Sequence, residues 1–87
     1  MNLNNLMLQV KNQQGRYETI SVGSIIESQD VYYIAYLREW IADHVFSYVE
    51  WDEDDSVLTE ETVEKAFTIL KALDIKPKDC FYLGDEL

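Results

Sequence analysis

The chain has 87 residues, 47% of them hydrophobic and 13% aromatic, a formal net charge of −10 and a single cysteine. That length makes one domain, 1–87, burying about 60 to 65% of the surface its unfolded form exposes, and the apolar content is well above that of disordered chains. One cysteine excludes an internal disulfide framework, the lack of a Cys/His cluster excludes a structural zinc site, and few, scattered lysines and arginines argue against nucleic acid or an anionic membrane as a direct ligand.

The opening residues lack the charged start and apolar core of a secretory signal, and no uncharged stretch approaches the roughly 20 residues that span a bilayer. A cytoplasmic protein is the expectation. "LMLQVK" and "RYETISV" flank "NQQG", and the second run alternates Tyr17, Thr19 and Ser21 against Glu18, Ile20 and Val22. This pattern predicts a β-hairpin with a four-residue loop ending in Gly15; a short helix over residues 3–11 is the competing reading. Gly23 and Ser24 break the alternation, so "SIIES" reads as a brief third strand or as the lead-in to the next helix.

Ile34, Leu37, Ile41, Val45 and Tyr48 recur at steps of three and four, which predicts a long helix from about 29 to 50, capped by Ser28 or Asp30. The acidic "DEDD" that follows would be repelled by the helix C-terminus and is expected to be a solvated loop. A second helix is predicted over about 60–74: Thr59 is a good N-cap, Glu60 and Glu61 fall in the first turn, and Leu58 with Val63 has the spacing of a hydrophobic staple. Its core face is Val63, Ala66, Phe67, Leu70 and Leu73, and Pro77 disfavours its continuation. The tail "PKDCFYLGDEL" reads either as one helical turn from Pro77 or as a short strand through Phe81 to Leu83. The fold class is therefore α+β, a small single domain with an N-terminal hairpin packed on two main helices.

The charge is not spread evenly. Between Glu39 and Glu64 lie ten carboxylates (Glu39, Asp43, Glu50, Asp52, Glu53, Asp54, Asp55, Glu60, Glu61 and Glu64) and no lysine or arginine, while the rest of the chain carries seven acids against seven bases. Ordinary solvated faces interleave both signs and gain local pairs, so one 26-residue block holding the whole excess concentrates the field on part of the surface.

A metal loop does not explain the block. Started at Asp52, an EF-hand register places Val57 where the sharp turn needs glycine and Val63 where a bidentate glutamate is required; started at Glu50, it places Asp55 at the glycine position. No catalytic arrangement stands out either. Adjacent acids in a solvated loop lack the apolar pocket that tunes a general acid, His44 and Cys80 both lie beside apolar runs as core residues do, and Gly15, Gly23 and Gly84 are too isolated to cradle a phosphate. No enzyme activity, cofactor or metal is expected.

Two surfaces remain. Glu39, Asp43 and Glu50 return to one helical face, and with "DEDD", Glu60, Glu61 and Glu64 they would form a negative ridge if the helices pack antiparallel. Tyr32, Tyr33, Tyr36 and Trp40 crowd the start of the long helix and Trp51 follows its end; some would either wrap the hairpin or anchor a partner. In size and charge alone the chain is similar to the small acidic inhibitors encoded by phages and mobile elements, the DNA-mimic, anti-restriction and anti-CRISPR proteins. That resemblance implies occupation of a target's basic nucleic-acid groove; it carries no motif and no residue assignments. The alternatives are an adaptor or immunity-type module using Tyr33, Tyr36, Trp40 and Trp51, and an oligomerisation domain without a specific ligand, homodimers included.

Overall fold

The computed structural model describes residues 2–45 and 58–83. Strand β1, Leu6–Lys11, buries Leu6, Leu8 and Val10 and turns Gln9 and Lys11 outward, the period-two pattern of a sheet with one covered face. It pairs antiparallel with β2, Tyr17–Ser21, from Lys11↔Tyr17 to Met7↔Ser21. The connection spans residues 12–16, one more than the "NQQG" reading. Asn12 explains the extra residue: its side-chain oxygen accepts from the backbone N–H groups of Gln14 and Arg16 at 3.0 Å each, while its own N–H reaches the Arg16 carbonyl at 2.8 Å. Gly15 supplies the left-handed step at φ 81° that closes such a turn.

Helix α1, Val22–Ser28, takes the place where a brief third strand or a lead-in is expected. Its capping residue was hidden in the strand pattern. Ser21 ends β2 and also accepts a 3.0 Å bond from the Ser24 N–H, which starts the helix. Gly23 lies against the turn Leu3–Asn5, where a Cβ would stand 2.1 Å from the Asn4 side-chain oxygen, so no larger residue fits without moving that turn. The helix ends at Gln29, left-handed at φ 52°. That reversal is why the long helix begins at Val31 rather than near Gln29. Asp30 caps it, its carboxylate accepting from the N–H groups of Tyr32 (3.0 Å) and Tyr33 (3.4 Å). The Gln29 carboxamide also donates to the Leu58 carbonyl at 3.0 Å, tying the elbow between the two helices to the segment that leads into the last helix.

Helix α2, Val31–Val45, buries Ile34, Leu37, Ile41 and Val45 at 1% exposure or less, the predicted stripe. Its expected extension to Glu50, with Tyr48, and the "DEDD" loop lie outside the described residues. Helix α3, Glu60–Ala72, starts as predicted: the Thr59 hydroxyl accepts from the Thr62 N–H at 3.3 Å, and Leu58 and Val63 are both buried. Val63, Ala66, Phe67 and Leu70 face the core, but Leu73 does not. It is 46% exposed because the helix stops at Ala72 and Leu73 turns away as the C-cap.

The stop is a Schellman turn in which the Ile75 N–H bonds the Leu70 carbonyl at 3.0 Å and the Asp74 N–H bonds that of Lys71 at 3.1 Å. Asp74 sits at φ 56°, the position that favours glycine, and sets a negative charge beside the helix C-terminus. Asp74→Gly is therefore expected to stabilise the fold by about 0.5 to 1 kcal/mol, read as a raised urea midpoint at unchanged slope. A lowered midpoint would show that the exposed 3.7 Å pair of Asp74 with Lys76 outweighs the backbone strain.

The chain then returns as β3, Cys80–Tyr82, antiparallel to β1 from Leu6↔Tyr82 to Leu8↔Cys80, which makes a three-stranded sheet of order β2-β1-β3. Of the two readings of the tail, the strand is the one observed. The domain is α+β as expected, with the helices packed on the inner face of the sheet and one continuous core of Leu8, Val10, Ile25, Ile34, Leu37, Ile41, Val63 and their neighbours.

Candidate interaction surface

Of the ten carboxylates in the acidic block, five lie among the described residues. Glu39 and Asp43 are exposed one turn apart on α2, and Glu60 and Glu61 are exposed in the first turn of α3, where the helix dipole favours them; Glu64 is half-buried. The two helices touch through Trp40 and Phe67, so these carboxylates belong to neighbouring elements. Lys65 lies 3.7 Å from Glu61 in an i,i+4 pair whose side chains are 71% and 81% exposed, an arrangement worth little in water. Glu50, Trp51 and Asp52–Asp55 lie outside the described residues, as does any test of the antiparallel ridge that would join the two groups.

The aromatic residues of α2 turn mostly inward. Tyr32 donates its hydroxyl to the Lys11 carbonyl at the end of β1, and Tyr33 donates to the Glu18 carboxylate on β2, the two rings meeting edge to face at 5.4 Å. Glu18 follows the inward alternation of β2 next to Ile20, so a half-buried carboxylate there needs a donor, and Tyr33 is it. That bond, followed by burial and the charge of Glu18, raises the Tyr33 hydroxyl above its ordinary pKa. Tyr36 is half-buried against the core. The tyrosines thus wrap the hairpin as a second layer.

Trp40, for which the sequence leaves both an inward and a partner-facing reading open, turns inward. It is 6% exposed: its indole stacks on His44 at 4.0 Å and on Phe67 at 5.5 Å, and its Nε1–H donates to Asp79 Oδ2 at 3.0 Å. The helical stripe through Ile34, Leu37 and Ile41 is wider than those residues alone, and Trp40 extends it toward α3. Asp79 is held in turn, its carbonyl accepting from the Gln9 N–H at 2.8 Å beside the start of β3. Nothing in the spacing of Trp40 and Asp79, 39 residues apart, signals this link.

His44 and Cys80 are each held by neighbours of their own. His44 Nδ1 lies 2.7 Å from the Trp40 carbonyl, and Cys80 is 8% exposed on β3, where burial and then the charge of Asp79 push its thiol up to about 12. A thiol held protonated at neutral pH is a poor nucleophile. Among the described residues no group of three or more His, Cys, Asp or Glu could hold a metal ion, and no helix is long and apolar enough to cross a membrane. Compared with family models, with curated proteins and with solved structures, the chain gives no match.

Proposed function

We propose that this is a small binding protein whose carboxylate-rich segment, Glu39 to Glu64, occupies the basic nucleic-acid-binding groove of a target protein and blocks it. The observation that carries the reading is the segregation of charge: ten carboxylates and no lysine or arginine in 26 residues, against an even balance elsewhere. The exposure of Glu39, Asp43, Glu60 and Glu61 on two touching helices supports it, as does the burial of Trp40, which removes the main anchor from a competing aromatic interface. A strip of carboxylates offers a cationic cleft the same kind of partner as a phosphate backbone does, and the opposed fields steer the encounter.

The test begins with a pull-down from lysate at low and high salt, followed by titration of the protein that elutes. Asp52→Lys, Glu53→Lys, Asp54→Lys and Asp55→Lys made together are expected to weaken binding about a hundredfold at low ionic strength, since each reversal replaces an attraction by a repulsion, and to flatten the salt dependence. A target bound equally well after these four reversals and after Glu39→Lys with Asp43→Lys would end the proposal.

A further inference from the structure

A second surface lies outside the acidic block. Residues 71–78 hold three of the seven basic side chains, Lys71, Lys76 and Lys78, against a single acid, Asp74. Lys71, Asp74 and Lys76 line a groove of about 1390 Å³ between the C-terminal end of α3 and β3, to which Phe81 and Tyr82 also contribute. Phe81 remains 40% exposed, and Leu73 and Leu83, next in the chain to residues of the groove, are 46% and 52% exposed. Of the five large hydrophobic side chains exposed among the described residues, Phe81 lines the groove itself, and Leu73 and Leu83 adjoin it in the chain.

We infer that this groove docks a short acidic, apolar segment of a partner protein, its large side chains on the exposed Phe81 and its carboxylates on Lys71 and Lys76. The chemistry selects that occupant over others. An apolar floor gives no return to inorganic phosphate or a nucleotide, and the volume exceeds the roughly 300 to 1,000 Å³ of a small-molecule pocket. A long polyanion would reach beyond the lysines into the field of the remaining carboxylates, whereas a short peptide stays within the screening length of about 8 Å at physiological salt. A second copy of the chain brings its own charge of −10 against the first. The lysines are free to exchange: the side chain of Lys76 is 85% exposed, and its 3.7 Å pair with the equally exposed Asp74 is of the weak, solvent-screened kind.

The inference does not depend on the function proposed above, and one experiment separates the two. A short fluorescein-labelled peptide alternating Leu or Phe with Asp or Glu is titrated with the full chain by anisotropy, beside the same peptide with lysine for its acids. Saturable binding of the acidic peptide alone is expected, weakened about tenfold by Lys71→Glu with Lys76→Glu, weakened also by the uncharged change Phe81→Ser, and retained in Glu60→Lys with Glu61→Lys. All five changes are at exposed positions, and melting by circular dichroism confirms that each variant folds. Absence of binding, equal binding of the lysine peptide, or indifference to Lys71→Glu with Lys76→Glu overturns the inference. So does displacement by an oligonucleotide of equal charge, which would mark simple anion exchange, or sedimentation showing a self-association that the lysine changes abolish, which would give the groove to a second copy.

Discussion

Trp40→Ala is expected to destabilise the domain by about 3 to 5 kcal/mol, the range for deleting a buried aromatic side chain. An 87-residue domain is stable by about 4 to 13 kcal/mol in all, so the variant stands at the edge of folding. Three losses combine. The cavity opens between α2 and α3, where the indole stacks on Phe67; His44 loses the ring it stacks on; and the half-buried Asp79 carboxylate loses its donor. Trp40→Phe keeps the stack and gives up only the bond to Asp79, and is expected to cost about 1 to 3 kcal/mol. Urea unfolding followed by far-ultraviolet circular dichroism measures both. The result also decides between two roles for one residue: a core tryptophan lowers stability when truncated, whereas an interface anchor lowers affinity and leaves stability alone. A Trp40→Ala midpoint within experimental error of the parent would return the residue to the surface.

What the sequence made legible were the features written in short-range pattern. The alternation through Tyr17–Ser21, the three-and-four stripe of Ile34, Leu37, Ile41 and Val45, and the Thr59 cap with its Leu58 and Val63 staple are each local in the chain, and each is present. The features missed depend on pairing between distant segments or on backbone reversals with unusual residues. Gln29 and Asp74 both adopt left-handed conformations, where glycine is the ordinary signal, so neither the break between α1 and α2 nor the exposure of Leu73 could be read. Ser21 completes the strand pattern of β2, which hides its second role as a helix cap. At the candidate surface, the exposure of Glu39, Asp43, Glu60 and Glu61 follows from helical phase, which a sequence carries. The inward turn of Trp40 does not, because its partners Phe67 and Asp79 come from α3 and from the approach to β3.

Alkaline pH is expected to unfold this protein through Cys80. The thiol is 8% exposed and pushed up to about 12, whereas an unfolded thiol ionises near its ordinary value of 9.0. Below pH 9 both states keep the proton and the group contributes its full stabilisation. Above it the unfolded chain releases the proton while the native one retains it, so the unfolded state binds fewer protons and stability falls as pH rises. The slope between pH 9 and about 12 is about 1.4 kcal/mol per unit, in all about 4 kcal/mol, a large part of the total. Tyr33, also raised in the native state, adds to the decline in the same direction. Cys80→Ala separates the two: it has no thiol to ionise, so its stability should start about 1 kcal/mol lower at pH 7 for the small cavity and then hold above that of the parent as pH passes 10. Curves for the two proteins that stay parallel to pH 11 would show that Cys80 ionises freely and is not enclosed. Asp79→Asn provides the second check. Removing the neighbouring charge leaves burial as the remaining cause, so the thiol should ionise at a lower pH than in the parent, and the alkaline decline should become shallower.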